Sequence, residues 1–443
     1  MPRQSAITSL NSNASVAILV IVALAPIPFG SNRPFFWALW AFVLVGFLAV
    51  YLIKAGRTRQ PLRVPLPVLK LEMMLFLVVA GFMLVQIAPI AGVAPDWLCG
   101  PGRCEDAETL TRNPGDTRFA ALRWVTYGAL FFLVVQTGVN EKRADRMGTI
   151  LAFTVAGTAL YGLAALKVFG DTILFFEKTY YLGVATGPFV NRNSFATFLG
   201  IGIVLAISLL ITRARDERER KNSNMESIAL LSVALLIMLV ALIATQSRMG
   251  LFATMVGGLV VIVVQYTSAI RSALALSAGA ILTVLALSIY GDLIDRMLVL
   301  ERSAEIRVEL FRQVLAMVSD RPWAGHGAGS FRIVFPVYHK PSLDVGVTWE
   351  YTHSTYLALW VGMGLVVGSI PPLIVGRIFF RVLRSSDFRE KRSAVSCAGI
   401  GATTLVALHS LVDFSLEIQG VAMLYTSVLG LCAARPLSPR AFD

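Results

Sequence analysis

Residues 226–268 read ESIALLSVALLIMLVALIATQSRMGLFATMVGGLVVIVVQYTS, two apolar runs split by the polar hexapeptide TQSRMG. Each run is about twenty residues long, which at about 1.5 Å per residue crosses the roughly 30 Å hydrocarbon core of a bilayer. Only a helix or a closed barrel satisfies its backbone polar groups in lipid, and runs of this length are helical. The fold class is therefore all-α, and the chain is a polytopic integral membrane protein. The hexapeptide separates two spans that could otherwise be misread as one long helix.

Working outward, the composition agrees: 56% of the 443 residues are hydrophobic, 15% are charged and the mean hydropathy is +0.70, far from the averages of soluble domains. Apolar runs place twelve spans, near 15–31, 34–53, 67–90, 119–139, 147–169, 191–212, 226–246, 250–268, 272–291, 354–380, 394–412 and 418–435. The first two are joined by PIPFGSNRP, whose proline and glycine density suits a tight turn. Four basic connections, KAGRTRQPLR, NEKRADR, TRARDERERK and RVLRSSDFREKR, fall on one side, the cytoplasmic side by the positive-inside rule. Both termini, 1–14 and 436–443, are then cytoplasmic, spans fill 15–291 and 354–435, and 292–353 forms a long outward loop. Those basic loops facing anionic leaflet lipids account for the net charge of +12 without a nucleic-acid partner. Another span follows the first apolar run at once, so that run reads as a retained helix and not a cleaved signal. Cys99 and Cys104, in CGPGRC of an outward loop, are a candidate disulfide, while Cys397 and Cys432 lie in spans as small apolar residues.

The segment 292–353 is far longer than an ordinary connection, and such outliers tend to carry function. Its first half has Ile306, Leu310, Val314 and Met317 at helical spacing, predicting an amphipathic helix at the outer surface that ends at Asp320, Arg321 and Pro322. Such a helix can rest on lipid headgroups. AGHGAGSF follows without a preceding strand, so Gly325, Gly327 and Gly329 read as a tight backbone path and not a nucleotide cradle, with His326 structural. Tyr338, Trp349, Tyr351, Tyr356 and Trp360 suit either an interfacial belt or stacking surfaces for sugar rings or an isoprenoid chain. His353, one of four histidines, stands in TWEYTHSTYLALW where the loop meets an apolar helix. Arg248 sits near the outer ends of two spans, where a guanidinium either snorkels or grips an anion through paired hydrogen bonds. Asp413, in LHSLVDFSLE, can orient such an arginine or simply stand at a helix end. The run Asn191, Arg192, Asn193 and Ser194 reads as a capped helix start or a polar vestibule.

GPFVNRNSFATFLG, TQSRMGLF, RVELFRQVLAMVSDRPWAGHGAGSF and THSTYLALWVGMGLVVG, in that order, resemble the O-antigen ligase and polymerase superfamily of bacterial envelope glycan assembly, over roughly residues 185 to 415. The resemblance implies a metal-independent, inverting membrane glycosyltransferase with no cofactor, working on the periplasmic side of the inner membrane. Its donor would be a glycan on undecaprenyl diphosphate, and its acceptor a hydroxyl of a lipid or glycan such as lipid A-core. Membrane lipids and other glycan-assembly proteins are the remaining partners so implied. His353 matches the family's base and Arg248 and Arg307 its diphosphate grip; Asn191, Asn193, Arg321 and Asp413, which no family motif assigns, are candidate supporting residues. Met249 and Met363 depart from the family pattern. The chemistry suits these residues, since imidazole can take a hydroxyl proton near neutral pH and guanidinium can hold a developing phosphate charge. A polymerase of the same superfamily is the nearest alternative. A transporter or flippase is a rival from another class, but carboxylates in the spans are few, with Glu72 and Asp413 near ends.

Overall fold

The computed structural model describes residues 2–59, 61–90, 95, 98, 108–219, 225–266, 293–343, 346, 348–385, 388 and 392–438. These residues form α1 (Pro2–Leu24), α2 (Pro34–Arg57), α3 (Lys70–Ile87), α4 (Pro114–Gly138), α5 (Glu141–Lys167), α6 (Arg192–Arg218), α7 (Met225–Ala244) and α8 (Arg248–Gln265). Then come α9 (Leu293–Asp320), the single turn α10 (Phe331–Val334), α11 (Thr355–Gly368), α12 (Ile370–Arg384), α13 (Ala394–His409) and α14 (Gln419–Ala434). A minimal antiparallel ribbon, β1 (Thr172–Ile173) with β2 (Phe176–Glu177), precedes α6.

Among the described residues seven helices are long and apolar enough to cross a membrane, and an eighth span results if the bent pair α11–α12 counts as one. Leu10–Leu24, α13 and α14 are apolar but shorter. The chain is thus a multi-pass helical membrane protein. The span expected at 272–291, and the candidate disulfide between Cys99 and Cys104, lie outside the described residues. Cys397 and Cys432 are free and buried.

Burial sorts the helices. In α6, 78% of the apolar window is buried, against 22% in α2 and 28% in α7, so α6 is the central post and the other two present their apolar sides outward. Small residues let its neighbours close in: a Cβ on Gly401 of α13 would lie 2.6 Å from the Gly257 carbonyl of α8, and one on Gly257 would lie 2.8 Å from the Gly401 carbonyl. Without a hydrophobic drive between helices in lipid, such close backbone packing is what holds them together.

The expected span 354–380 is not one straight helix. α11 and α12 meet at 70°, with Pro371 and Pro372 in the first turn of α12. Within α11, Gly364 leaves the helix at φ 72°, ψ 173°. The glycine loop of AGHGAGSF takes up the freed backbone groups. His326 N–H donates to the Val361 carbonyl (2.7 Å), Gly327 N–H to the Gly362 carbonyl (3.0 Å), and Leu365 N–H to the Pro322 carbonyl (2.7 Å). Gln86, at the end of α3, donates through Nε2 to the carbonyls of Ala324 (2.7 Å) and Gly362 (2.8 Å) and accepts from Ala328 N–H (3.2 Å). A broken helix survives inside an apolar bundle only when its backbone is satisfied in this way. Hydropathy alone cannot reveal the break, because residues 354–380 are mostly apolar whether the helix is straight or bent.

The amphipathic helix expected in the long loop is the C-terminal half of α9. Its stripe meets protein: Leu310, Val314 and Met317 are fully buried with Leu357 and Val361 of α11 and with Phe331 and Phe335, while Ile306 stays exposed. The long loop therefore carries its own small core, seated on the helix that starts beside His353.

Gly364→Ala tests the break. The φ/ψ pair at this position is essentially reserved for glycine, and the added Cβ would lie 2.2 Å from the Trp323 carbonyl oxygen. The variant is expected to lose at least roughly 1–3 kcal/mol of stability, read as a lower melting temperature in detergent, whereas Gly376→Ala, with open space at its Cβ, should melt as the parent does.

Candidate active site

Three helices begin at one place. Asn191 caps α6, its Oδ1 accepting from the N–H groups of Asn193 (2.7 Å) and Ser194 (3.2 Å). Ser247 caps α8 through Gly250 N–H (3.3 Å), and Ser354 caps α11 through Leu357 N–H (3.5 Å). The turn between α13 and α14 joins them. Asp413 Oδ2 accepts from Asn193 Nδ2 (2.9 Å), Asn193 Oδ1 accepts from Ser247 Oγ (2.8 Å), and Thr355 N–H reaches the carbonyls of Ser410 (3.0 Å) and Asp413 (3.1 Å). Helix N-termini carry partial positive charge and free N–H groups, so three of them at one locus favour an anion.

His353 is the residue before the α11 cap. It holds φ 54°, a left-handed backbone that a non-glycine residue adopts at some cost. Its neighbours fix it there. Thr352 is fully buried and donates its hydroxyl to the Ser354 carbonyl (2.6 Å), and Ser354 Oγ donates to the Ser410 carbonyl (3.2 Å). The imidazole stands edge-on to Phe414 (ring centroids 5.1 Å) and Trp349 (5.8 Å), and Phe414 stacks on Tyr351 at 4.0 Å. Tyr351 is tied in turn to Asn32 of the α1–α2 turn (2.8 Å). Two of the aromatic residues read as belt or stacking surface thus wall the histidine. Nδ1 of His353 is buried without a hydrogen-bond partner.

Burial pushes the His353 imidazole below its ordinary value; the neighbouring Asp413 carboxylate opposes this and Arg307 reinforces it. Arg192, half-buried at the first position of α6, lies within electrostatic reach of both Arg248 and Arg307, with its guanidinium 5.7 Å from the Tyr181 ring centre. Tyr181 in turn feels Arg192, Asp413 and Arg307, and its hydroxyl accepts from Asn191 Nδ2 (3.0 Å). Arg248 is exposed at the first position of α8. The structure thus gathers His353, Arg248, Arg307, Asp413, Asn191 and Asn193 around one polar locus.

Arg321 is elsewhere. It is 4% exposed and donates to the Leu110 carbonyl (3.0 Å), which ties the segment before α4 to the end of α9. His326 shares that environment: a backbone carbonyl can only accept, so its Nε2 donates to Met317 O at 2.9 Å, and burial pushes its pKa down to about 4. Asp413 meets the Arg248 helix through Asn193 and Ser247, the residue before the arginine.

Sequence reasoning did not give weight to three participants. Arg192 was visible only as part of a polar run, and Tyr181 lies in a segment without a motif. His409, 1% exposed, completes a buried relay in which its Nδ1 meets Thr197 Oγ1 (2.6 Å), Thr197 reaches Ser415 Oγ (2.9 Å), and Ser415 donates to Asp413 Oδ1. Spacing along the chain could not pair Thr197 with His409, which lie 212 residues apart.

Fold and site together define a polytopic helical membrane protein with an anion-favouring polar locus and a half-buried imidazole, His353, at the mouth of three helices. Residues 233–370, from within α7 to the first residue of α12, match the family model described as O-antigen ligase, which supports the place of the chain in the O-antigen ligase and polymerase superfamily. The matched segment holds Arg248, Arg307, Arg321 and His353, whereas Asn191, Arg192, Asn193 and Asp413 join the locus from outside it. No curated protein matches the chain.

Two predictions follow from this geometry. Because His326 is held neutral down to about pH 4 while an unfolded histidine protonates near 6.5, the unfolded state binds the extra proton between those values. Stability is then complete above pH 6.5 and falls as pH drops toward 4, by up to about 3 kcal/mol from this group; a His326→Gln variant should show a weaker dependence in melts across that range. His353→Asn, whose side chain tolerates positive φ, is expected to melt within about 1 kcal/mol of the parent while losing whatever activity depends on the imidazole.

Proposed function

We propose that the chain is an O-antigen-ligase-like glycosyltransferase, moving a glycan from undecaprenyl diphosphate to a hydroxyl acceptor such as lipid A-core on the periplasmic side of the bacterial inner membrane. The observation that carries this reading is the convergence of the half-buried His353 imidazole with Arg192, Arg248 and Arg307 where α6, α8 and α11 begin. The positive-inside arrangement of the basic loops supports cytoplasmic termini and an outward-facing locus.

In this mechanism Arg248 and Arg307, with Arg192 beside them, grip the lipid diphosphate. Their charge is preorganised where the leaving group gains negative charge, so it favours the transition state over the ground state. His353 in its neutral form takes the acceptor hydroxyl proton as the new C–O bond forms at the anomeric carbon. The bond to the diphosphate oxygen breaks on the opposite face, undecaprenyl diphosphate leaves with the electron pair, and configuration inverts. Arg307 keeps the imidazole unprotonated, and Asp413 steadies the imidazolium that forms. No step calls for a metal ion. A polymerase that adds repeat units uses the same groups with a different acceptor.

Transfer from purified undecaprenyl-diphosphate glycan in proteoliposomes tests the reading. His353→Ala should lower the rate by roughly 10²–10⁴-fold, and Arg248→Lys by roughly 10²-fold, since lysine lacks the paired donors. Full activity in either variant overturns that role, and activity abolished by chelator and restored by divalent metal overturns the metal-free mechanism. A single transfer to a lipid acceptor marks a ligase; a ladder of repeats marks a polymerase. Because the base must be neutral and its pKa lies below the ordinary 6.5, the rate should rise with pH and reach half its plateau below that value.

A further inference from the structure

A second polar notch lies at the other end of α3 from Gln86, about 21 Å away at the helical rise. Lys70 and Glu72, in the first turn of α3, face Arg377 and Arg381 of α12 across a cavity of about 420 Å³. Both guanidinium groups use the same carboxylate oxygen: Arg377 Nε lies 3.3 Å and Arg381 Nη1 2.8 Å from Glu72 Oε1. Glu72 is 5% exposed, and its other oxygen, Oε2, is buried with no hydrogen-bond partner. An acceptor left bare at this depth costs free energy until a donor reaches it. Three cations against one carboxylate also leave the notch positive.

Glu72 lines a second space as well, an apolar cavity of about 1000 Å³ between α2, α3 and α4 on one side and α11 to α14 on the other. Leu66, Met73, Phe76, Ile374 and Phe379 are among its walls, and Thr355 and Glu417 mark its far end. A cationic notch thus adjoins a volume suited to a hydrocarbon chain, with an unmet carboxylate oxygen where the two join.

We propose that this notch binds an anionic glycerophospholipid whose headgroup carries a free hydroxyl. Its phosphodiester sits on Lys70 and Arg381, the hydroxyl donates to Glu72 Oε2, and an acyl chain enters the apolar cavity. Charge selects among lipids. A phosphoglycerol headgroup neutralises part of the surplus and supplies the missing donor; phosphocholine neutralises nothing and has no donor; phosphoethanolamine has a donor but leaves the surplus unchanged. The bound lipid wedges between α3 and α12 and so braces the broken α11–α12 unit from the end opposite His353.

The test does not depend on the transferase reading, because it follows lipid retention and melting, not transfer. Delipidated protein is incubated with phosphatidylglycerol, phosphatidylethanolamine or phosphatidylcholine and examined by native mass spectrometry and thermal melting. Phosphatidylglycerol should be retained at least about tenfold better than phosphatidylcholine, with a rise in melting temperature. Lys70→Gln, an exposed position whose loss leaves the Glu72 pairs intact, should lower that preference at least about threefold, and Lys70→Glu, which reverses the charge at the same position, should lower it further. Equal retention of all three lipids, or an unchanged preference in both variants, overturns the proposal. Displacement of phosphatidylglycerol by inorganic phosphate or glycerol phosphate alone would assign the notch to a free anion, and displacement by undecaprenyl phosphate would assign the cavity to an isoprenoid chain; either also overturns it.

Discussion

The buried carboxylate of Asp413 is the tie on which the site depends. It is 1% exposed, accepts from Asn193 and Ser415 through its two oxygens, and offers its backbone carbonyl to Thr355 N–H. A charge taken out of water is tolerable only when its lone pairs are met, and here the donors that meet them come from the start of α6 and the link into α14. Through Asn193 and Ser247 the same chain reaches the start of α8. The helix carrying Arg192, the helix opening on Arg248 and the helix following His353 are thereby indexed to one another by hydrogen bonds that each fix a helix end. Rigid elements placed in this way hold a charge pattern without reorganising, which is what electrostatic stabilisation of a developing anion requires.

The glycine loop does the equivalent task for the backbone. Breaking α11 at Gly364 frees amide groups in an apolar setting, and residues 322–328 and Gln86 absorb them. This docking fastens the long loop, with α9 and Arg307, onto the helix that begins after His353. Among its described residues the loop thus packs onto α11, and the Leu310, Val314 and Met317 stripe supplies the apolar contact that keeps it there. The positive φ of His353 belongs to the same economy of constraint: Thr352 and Ser354 are buried and pinned on either side, so the strained residue between them has one orientation.

Electrostatics divides the bundle into two ends with different demands. At the His353 end, arginines converge on a locus where the neutral imidazole is favoured by burial and by Arg307. At the other end of α3, cations surround a single carboxylate and border an apolar cavity. The long hydrophobic walls between these ends give each polar group a low-dielectric background, which strengthens a satisfied charge and penalises an unsatisfied one.

Much of this was legible in the residues alone. Apolar run length fixed the class as helical and membrane-spanning, because lipid admits no other way to satisfy twenty backbone amides in a row. The placement of TQSRMG, the amphipathic stripe of 306–317 and the junction at His353 could be read because each is a local pattern whose physics acts within a turn or two of helix. What only the tertiary structure decided is every relation between distant segments. The bend in 354–380 depends on carbonyls being met by a loop some forty residues earlier in the chain, and Arg321 turns from the locus to the Leu110 carbonyl. Arg192 and His409 gain their meaning from neighbours brought in by packing. Hydropathy reports the solvent a segment prefers, whereas hydrogen bonds and charge pairs between helices depend on the angle and depth at which those helices meet, and that is set by the whole bundle at once.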